Sequence, residues 1–239
     1  MNPEINKLSS ALKEWNINID NARLEKFDRY MKLLLEWNQK MNLTAITDPW
    51  EVAVKHMVDS LSCYKAEFFP QGCSLIDVGT GAGFPGIPLK IIRPDIRLTL
   101  LDSLQKRVDF LQAAVDYLGL SEVTAIHARA EEGARLKEHR EQYQVAVARA
   151  VARLNVLCEL CLPFVAVGGV FIALKGAQYQ EEIAEAQRAI GLLGGEIVLT
   201  EPIKLPGLAD KRAVVYIQKR TATAAAYPRR PGIPEKKPL

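Results

Sequence analysis

The chain has 239 residues, of which 49% are hydrophobic and 25% charged, and its formal net charge at pH 7 is +3. This composition is typical of a globular protein that buries its core without disulfides or a structural metal. Four cysteines in a chain of this length are not a disulfide framework, and the chain starts with a polar segment. Both features argue against secretion and predict a cytoplasmic protein.

The N-terminal part of the sequence predicts helices. Between residues 23 and 40, apolar residues recur at three- and four-residue spacing, as in a helix with one buried face. Asp48 is placed to cap a second helix that starts at Pro49. We expect residues 1–65 to form a helical extension that packs on the domain following it.

After Pro70, short apolar runs alternate with amphipathic segments, the pattern of βαβ units on a parallel sheet. The seven predicted strands are residues 73–79, 97–102, 123–128, 144–150, 169–175, 196–200 and 213–219. Residues 205–212 are too few for a crossover helix, so the last two strands should be antiparallel neighbours. Residues 66–220 therefore predict a Rossmann-like α/β domain with a seven-stranded, mostly parallel sheet.

Helices between these strands are predicted from their ends. One begins near Pro85, another is capped by Ser103 and closed by Gly119, and a third covers residues 178–193. The nearly apolar segment 156–174 approaches the length of about 20 residues that a membrane helix needs. A glutamate, a proline and two glycines interrupt it, so a helix end, a turn and a buried strand are expected instead.

Residues 221–239 form a basic tail that contains four prolines. Four basic residues against one acidic residue give this tail a net charge of 4 − 1 = +3. Its prolines cannot continue a helix or an interior strand. We expect an extended tail, which either lies along a phosphate backbone or stays solvated.

The segment 77–86, D-V-G-T-G-A-G-F-P-G, ends the first predicted strand in a glycine-rich turn. Gly79 and Gly81 leave room for a ligand against the backbone, and the amides of the next helix face it. Asp102 ends the second strand, where a carboxylate can accept both hydroxyls of a ribose. These features predict a site for a cofactor that contains adenosine.

Two classes of cofactor fit this spacing. The residues from Gly81 to Gly86 also satisfy the G-x-G-x-x-G pattern of a dinucleotide oxidoreductase, with an acidic residue about 20 positions further on. Asp77 before the first glycine, prolines at the helix start and the lack of a second domain favour S-adenosylmethionine. The class I methyltransferases that use this cofactor have the same sheet, although fold alone does not give function. A binding protein without catalysis is the third alternative.

Further contacts are expected at the carboxyl ends of later strands, where ligands of open α/β sheets lie. Ala130 and Glu131 follow the third strand and Arg149 ends the fourth, so all three are candidates for cofactor contact. A basic rim for RNA is expected around this pocket, with ordinary solvated charges as the alternative. The candidate residues for the rim are Arg153, Lys175, Lys211, Arg212, Arg229 and Arg230.

The absence of two motifs from the sequence limits which atom can accept the methyl group. No N/D-P-P-Y/F motif of amino-nitrogen methyltransferases follows the fourth strand, and no Pro-Cys pair offers a nucleophile for carbon methylation. A ring nitrogen with a free lone pair, such as guanine N7, needs only placement against the methyl group, and a sequence without an evident general base fits that chemistry, so we assign no catalytic residue. We expect no metal at Cys158 and Cys161, which lie in an apolar helix. For His56, we expect a packing or hydrogen-bonding role with Asp59.

Several motifs together resemble one known family. These motifs are residues 42–44, 55–61, 77–88, 101–107, 149–150, 173–176 and 227–234. Over essentially its whole length, the chain resembles the ribosomal RNA small subunit methyltransferase G family, also called glucose-inhibited division protein B.

The resemblance implies methylation of N7 of one guanine in the 530 loop of 16S ribosomal RNA, with S-adenosylmethionine as donor. The cofactor contacts that it implies are Gly79, Phe84, Asp102, Ser103, Leu104, Ala130, Glu131 and Arg149. It also favours contact of the basic tail with RNA. We expect a monomer that acts on the small ribosomal subunit, and another RNA or a protein is the alternative acceptor.

Overall fold

The computed structural model describes residues 3–14, 17–149 and 151–239. Its strands are β1 (Ser74–Val78), β2 (Arg97–Asp102), β3 (Val123–His127), β4 (Tyr143–Arg149), β5 (Val165–Lys175), β6 (Gly195–Ile203) and β7 (Arg212–Lys219). They form one sheet in the order β3-β2-β1-β4-β5-β7-β6. β7 runs antiparallel to its neighbours β5 and β6, and the other pairs are parallel. The predicted fold is confirmed, and Ala150, assigned to the fourth strand, lies outside the described residues.

Helices cover both faces of this sheet. They are α1 (Pro3–Glu14), α2 (Asn21–Met41), α3 (residues 49–61), α4 (Gly86–Ile92), α5 (Gln105–Leu118), α6 (Ala130–Gly133), α7 (Leu154–Cys161), α8 (Tyr179–Leu192) and α9 (Ile233–Lys236). Within α3, the segment Val52–Val58 is π-helical. A π-helical segment is rare and widens the helix by one residue per turn.

The N-terminal helices share one apolar core with a face of the sheet. Leu8 of α1 and Phe27 and Leu34 of α2 pack in the same cluster as Leu100 of β2 and Tyr216 of β7. The opposite face of the sheet packs in a second cluster with α7 and α8. The extension is therefore continuous with the sheet domain through buried side chains.

Three predicted helix caps have different outcomes. Asp48 caps α3 by accepting a hydrogen bond from Glu51 N at 2.9 Å, and Gly119 ends α5 with a φ of 60°, as predicted. The predicted cap by Ser103 is wrong. The helix begins at Gln105 with Leu104 in the N-cap position and has no side-chain cap hydrogen bond, while the Oδ1 atom of Asp102 accepts a hydrogen bond from Leu104 N at 3.0 Å.

The apolar segment 156–174 comprises the end of α7, a 3-10 turn at Leu162–Phe164 and most of β5, as expected. In the described part of the chain, no helix combines the length and hydropathy that a membrane span requires. Cys158 and Cys161 are free and fully buried in α7. Among the described residues, no cluster of three His, Cys, Asp or Glu side chains could hold a metal ion.

The expectation of an extended tail is wrong in part. The tail packs back onto the molecule and ends in the short helix α9. Thr223 is buried and donates a hydrogen bond to Leu193 O at 2.8 Å, and Pro234 is buried. Arg229 pairs with the buried carboxylate of Glu159 at 2.6 Å. These contacts hold the tail in place without the backbone hydrogen bonds of a helix or a strand, which its prolines disfavour.

Candidate functional site

The glycine-rich turn between β1 and α4 exposes backbone to a ligand. Gly79 and Gly81 have φ values of 70° and 62°, a region that favours glycine. A Cβ atom at Gly81 would meet no atom within 4 Å, whereas one at Gly79 would lie 2.7 Å from Val151 Cγ2. The turn is therefore closely packed at Gly79 and open at Gly81.

Asp77 holds this turn from inside the fold. Its Oδ2 atom accepts hydrogen bonds from Thr80 Oγ1 at 2.6 Å and from Gly86 N at 2.7 Å. The side chain is fully buried, and its Oδ1 atom has no hydrogen-bond partner in the described part of the chain. Burial raises the pKa of the Asp77 carboxyl to about 7. Asp77 thus fixes the start and the end of the turn.

Asp102 joins the turn to the next loop. Its Oδ2 atom accepts a hydrogen bond from Gly81 N at 2.9 Å, and its Oδ1 atom accepts one from Leu104 N at 3.0 Å. Arg107 lies 3.4 Å from the same carboxylate. Asp102 is buried at the end of β2, so it positions both loops around one space.

A cleft of about 110 Å³ lies beside these loops, at the carboxyl ends of β1, β2 and β3. Four predicted cofactor residues line it, namely Gly79, Ser103, Ala130 and Glu131. Val151 and Glu235 line it too, so the tail contributes to its wall. Glu131 is buried and accepts a hydrogen bond from Gly232 N at 2.9 Å, which fastens the tail there. We call this space the first cleft.

Arg149 and Phe84, two further predicted cofactor residues, contact each other next to α3. The Arg149 guanidinium lies 5.0 Å from the centre of the Phe84 ring. It donates hydrogen bonds to Lys55 O and to Asp59 Oδ2, both at 2.9 Å. Asp59 also pairs with Arg212 at 3.2 Å. One buried carboxylate therefore ties the end of β4 and the start of β7 to α3.

His56 belongs to the same cluster. Its ring stacks on Phe84 at 4.7 Å, its Nδ1 atom accepts from Arg149 at 3.2 Å, and its Nε2 atom lies 2.8 Å from Thr44 Oγ1. Burial, with help from Arg149, lowers the pKa of His56 to about 3, so the imidazole is neutral. The expected packing and hydrogen-bonding role of His56 is confirmed, but its hydrogen-bond partners are Thr44 and Arg149 rather than Asp59, which itself bonds to Arg149.

A second cleft, of about 410 Å³, adjoins the first one at Val151, which lines both. It lies between the ends of β4 and β5 and the start of β7. Its charged lining residues are Arg149, Arg153, Lys175, Arg212, Asp59 and Glu182. Lys175 pairs with Glu182 at 2.6 Å and is buried. The lining thus carries more positive than negative groups and would attract an anionic ligand.

The residues predicted to contact RNA differ in exposure. Arg230 is exposed, and Arg153 is exposed but paired with Glu185 at 2.8 Å. Lys175 and Arg229 point to the buried carboxylates of Glu182 and Glu159. This geometry favours a role for Lys175 and Arg229 in positioning the second cleft and the tail, and their contact with RNA stays a prediction.

Sequence reasoning missed the role of Asp59 and the contact of the tail with the first cleft. Asp59 and Arg212 are 153 positions apart, and Glu131 and Gly232 are 101 positions apart. No local pattern links residues at such separations. The only available signal was the position of Arg212 at the start of the last strand, which the hairpin brings to the carboxyl edge of the sheet.

Comparisons with known proteins agree with this geometry. The sequence model of a family described as GidB, rRNA small subunit methyltransferase G, matches residues 23–206. A protein of Alkaliphilus metalliredigens named ribosomal RNA small subunit methyltransferase G is 52% identical over 232 residues, which cover 97% of both chains. A protein of the same name from Geobacillus thermodenitrificans is 49% identical over 236 residues, or 99% of both chains.

Solved structures share the fold at low sequence identity. TYW2 of M. jannaschii in complex with AdoMet is 15% identical, with a TM-score of 0.51, over 64% of this chain and 72% of that one. A protein of Agrobacterium tumefaciens described as a predicted O-methyltransferase, Atu636, is 21% identical, with a TM-score of 0.52, over 69% of this chain and 82% of that one.

Proposed function

This chain belongs to the ribosomal RNA small subunit methyltransferase G family, and we propose that it transfers a methyl group from S-adenosylmethionine to N7 of one guanine in the 530 loop of 16S ribosomal RNA. The observation that carries the proposal is the pair of adjoining clefts at the carboxyl edge of the sheet. The first cleft is lined by Gly79 and the buried carboxylate of Glu131 and lies beside the turn that Asp102 holds, and the second cleft is cationic. A methyl donor and its acceptor could meet at Val151, between them.

The first cleft, together with the two loops that Asp102 joins beside it, suits the adenosine part of S-adenosylmethionine. The Asp102 carboxylate accepts hydrogen bonds from two amides and keeps lone pairs for the hydroxyls of a ribose. The open backbone at Gly81 would admit the methionine part. Ser103, Ala130 and Glu131 would surround the base. The proposed set is completed by Gly79, Phe84, Leu104 and Arg149.

The bound cofactor supplies an electrophilic methyl group on a sulfonium centre. Guanine N7 attacks with its lone pair and loses no proton, so the protein has to position the base rather than deprotonate it. His56 agrees with this chemistry, because its pKa of about 3 makes the imidazole a weak base and both its nitrogens have partners. We therefore assign no general base to the reaction.

The cationic groups of the second cleft and of the tail suit a ribosomal RNA acceptor. Arg153 and Arg230 are exposed and could contact phosphates directly. Lys175 and Arg229 would act from their ion pairs, by shaping the second cleft and holding the tail. Phosphate contacts of this kind weaken as salt concentration rises.

Transfer of labelled methyl from S-adenosylmethionine to small ribosomal subunits tests the proposal. The subunits should come from a strain that lacks this protein, and the modified base should be identified after digestion. We expect 7-methylguanine at a single site. Absence of label from subunits, assembly intermediates and naked 16S RNA, despite cofactor binding, would contradict the proposed acceptor and point to another RNA or a protein.

Asp102→Asn tests the placement of the cofactor, with Asp109→Asn as its control on the exposed face of α5. Loss of charge-assisted hydrogen bonds to the ribose should weaken cofactor binding about tenfold or more in Asp102→Asn. Asp109→Asn should bind like the wild type. Equal dissociation constants for the two variants, measured by calorimetry, would rule out the first cleft as the adenosine site.

A further inference from the structure

The N-terminal extension reaches the backbone of the glycine-rich turn. The hydroxyl of Tyr30, in α2, donates a hydrogen bond to the carbonyl oxygen of Ala82. Tyr30 is fully buried, and burial raises the pKa of its hydroxyl well above the usual value, so the group keeps its proton and remains a donor. Asp77 and Asp102 hold other parts of the same turn from the sheet domain. Tyr30 therefore adds a contact that comes from outside that domain.

The Ala82 carbonyl belongs to a peptide group that is bonded on both sides. In a trans peptide, the carbonyl and the next N–H group point in opposite directions and rotate together. The N–H group of Gly83 donates to Thr80 O at 3.0 Å, inside the turn, so rotation of this peptide would break both hydrogen bonds. Gly83 itself opposes the rotation only weakly, because glycine adopts positive and negative φ about equally well. The hydroxyl of Tyr30 thus fixes a peptide that the glycine-rich sequence leaves free to turn.

The Tyr30 ring also packs against residues of the turn. Its centre lies 5.3 Å from that of the Phe84 ring, and a Cβ atom at Gly83 would lie 2.6 Å from its hydroxyl oxygen. His56 of α3 stacks on the same Phe84 ring at 4.7 Å. Two helices of the N-terminal extension therefore meet at Phe84, directly after the glycines of the turn.

We propose that Tyr30 is a positioning residue for S-adenosylmethionine, because its hydroxyl keeps the Ala82 peptide, and with it the glycine-rich turn, in the conformation that binds the cofactor. This role rests on the proposed function, which places the methionine part of the cofactor at this turn. A turn that is ordered beforehand loses less conformational freedom on binding, so the cofactor binds more tightly. The N-terminal extension is thereby a part of the cofactor site.

Tyr30→Phe tests the role, because it removes the hydroxyl and keeps the ring. Tyr216→Phe is the matched control, since Tyr216 is equally buried and its hydroxyl donates to Cys63 O at 3.2 Å, a carbonyl outside the turn. Each variant leaves one buried carbonyl without its donor, so both should lose similar stability in urea unfolding. The dissociation constant of S-adenosylmethionine, measured by calorimetry, should rise about tenfold in Tyr30→Phe and less than about twofold in Tyr216→Phe.

Hydrogen exchange in the segment 79–86 measures the order of the turn itself. Without cofactor, the amides of Gly83 and Phe84, which both donate to Thr80 O, should exchange faster in Tyr30→Phe than in the wild type or in Tyr216→Phe. Saturating S-adenosylmethionine should remove most of this difference. In methyl transfer, KM for the cofactor should rise about tenfold in Tyr30→Phe while kcat changes less than about twofold, because the bound cofactor orders the turn.

Equal dissociation constants in Tyr30→Phe and Tyr216→Phe would overturn the role of Tyr30, since the loss of any buried hydroxyl would then have the same effect. A fall in kcat with an unchanged KM for the cofactor would overturn it as well. Calorimetry needs no acceptor, so the binding result is independent of whether 16S RNA is the substrate. Wild-type affinity in Asp102→Asn would instead remove the placement of the cofactor, and the role of Tyr30 with it.

Discussion

Asp59→Asn should destabilise the protein far more than its small change in volume suggests. The Asp59 side chain is 6% exposed and compensates the charges of Arg149, 12% exposed, and Arg212, 24% exposed. Asparagine keeps the shape but leaves two guanidinium groups near each other without a counter-charge. Removing one partner from a buried ion pair costs about 3–5 kcal/mol, and the partial exposure of Arg212 places our expectation near the lower value, about 3 kcal/mol.

The assay is urea unfolding at pH 7, followed by circular dichroism, with Cm and m fitted together. Asp210→Asn is the matched control, because Asp210 lies 3.5 Å from the same Arg212 but is 61% exposed. An exposed pair contributes about 0.5 kcal/mol, so this control should unfold nearly like the wild type.

A loss below about 1 kcal/mol in Asp59→Asn would refute the reasoning, because a buried counter-ion cannot be so dispensable. An equal loss in Asp210→Asn would refute it as well, since burial would then not explain the difference. Added salt should not restore the stability of Asp59→Asn, because buried charges are screened only weakly.

Three further predictions follow from the same contacts. Burial raises the pKa of Asp77 to about 7, so protonation of its carboxyl stabilises the folded state. As pH rises from about 4 to 7, the free energy of unfolding of the wild type should fall relative to that of Asp77→Asn by at most about 4 kcal/mol, measured by urea unfolding. Arg229→Met should release the tail and weaken S-adenosylmethionine binding about tenfold by calorimetry, whereas the exposed control Arg230→Met should bind like the wild type. Equal dissociation constants for the two variants would refute the role of the tail as a wall of the first cleft. Gly83 has a φ of 96°, and a Cβ atom there would lie 2.5 Å from a neighbouring side chain. Gly83→Ala should therefore lower the free energy of unfolding by about 3 kcal/mol. In the control Gly72→Ala, where a Cβ atom meets no atom within 4 Å, the loss should be about 1 kcal/mol.

The sheet was predictable because its determinants are local. Alternation of short apolar runs, the glycine-rich turn after β1 and the short connection before β7 each depend on neighbouring residues. The position of Asp102 follows from the same logic, because a residue at the end of a parallel strand lies at the ligand-binding edge. The gathering of Gly79, Ser103, Ala130 and Glu131 around the first cleft is thus a consequence of topology.

The ion pairs were not predictable from the same information. From sequence, a charged residue such as Arg229 is expected to be exposed. No neighbouring residue indicates that it pairs with the buried Glu159 on α7, 70 positions earlier. The tail was expected to be extended because proline excludes helix and strand interiors, but side-chain contacts can order a segment without either. Such pairs depend on which surfaces the fold brings together.

Because α3 contains a π-helical segment, the number of residues in this helix is as important as their identity. Each residue of an α-helix turns the chain by about 100°, so removing one residue would rotate the part of α3 before the cut against the part after it. The carbonyl of Lys55 and the ring of His56 would then face away from Arg149 while Asp59 stayed in place. Deletion of Met57 or Val58, the two residues between His56 and Asp59, should therefore be far less tolerated than a conservative substitution there.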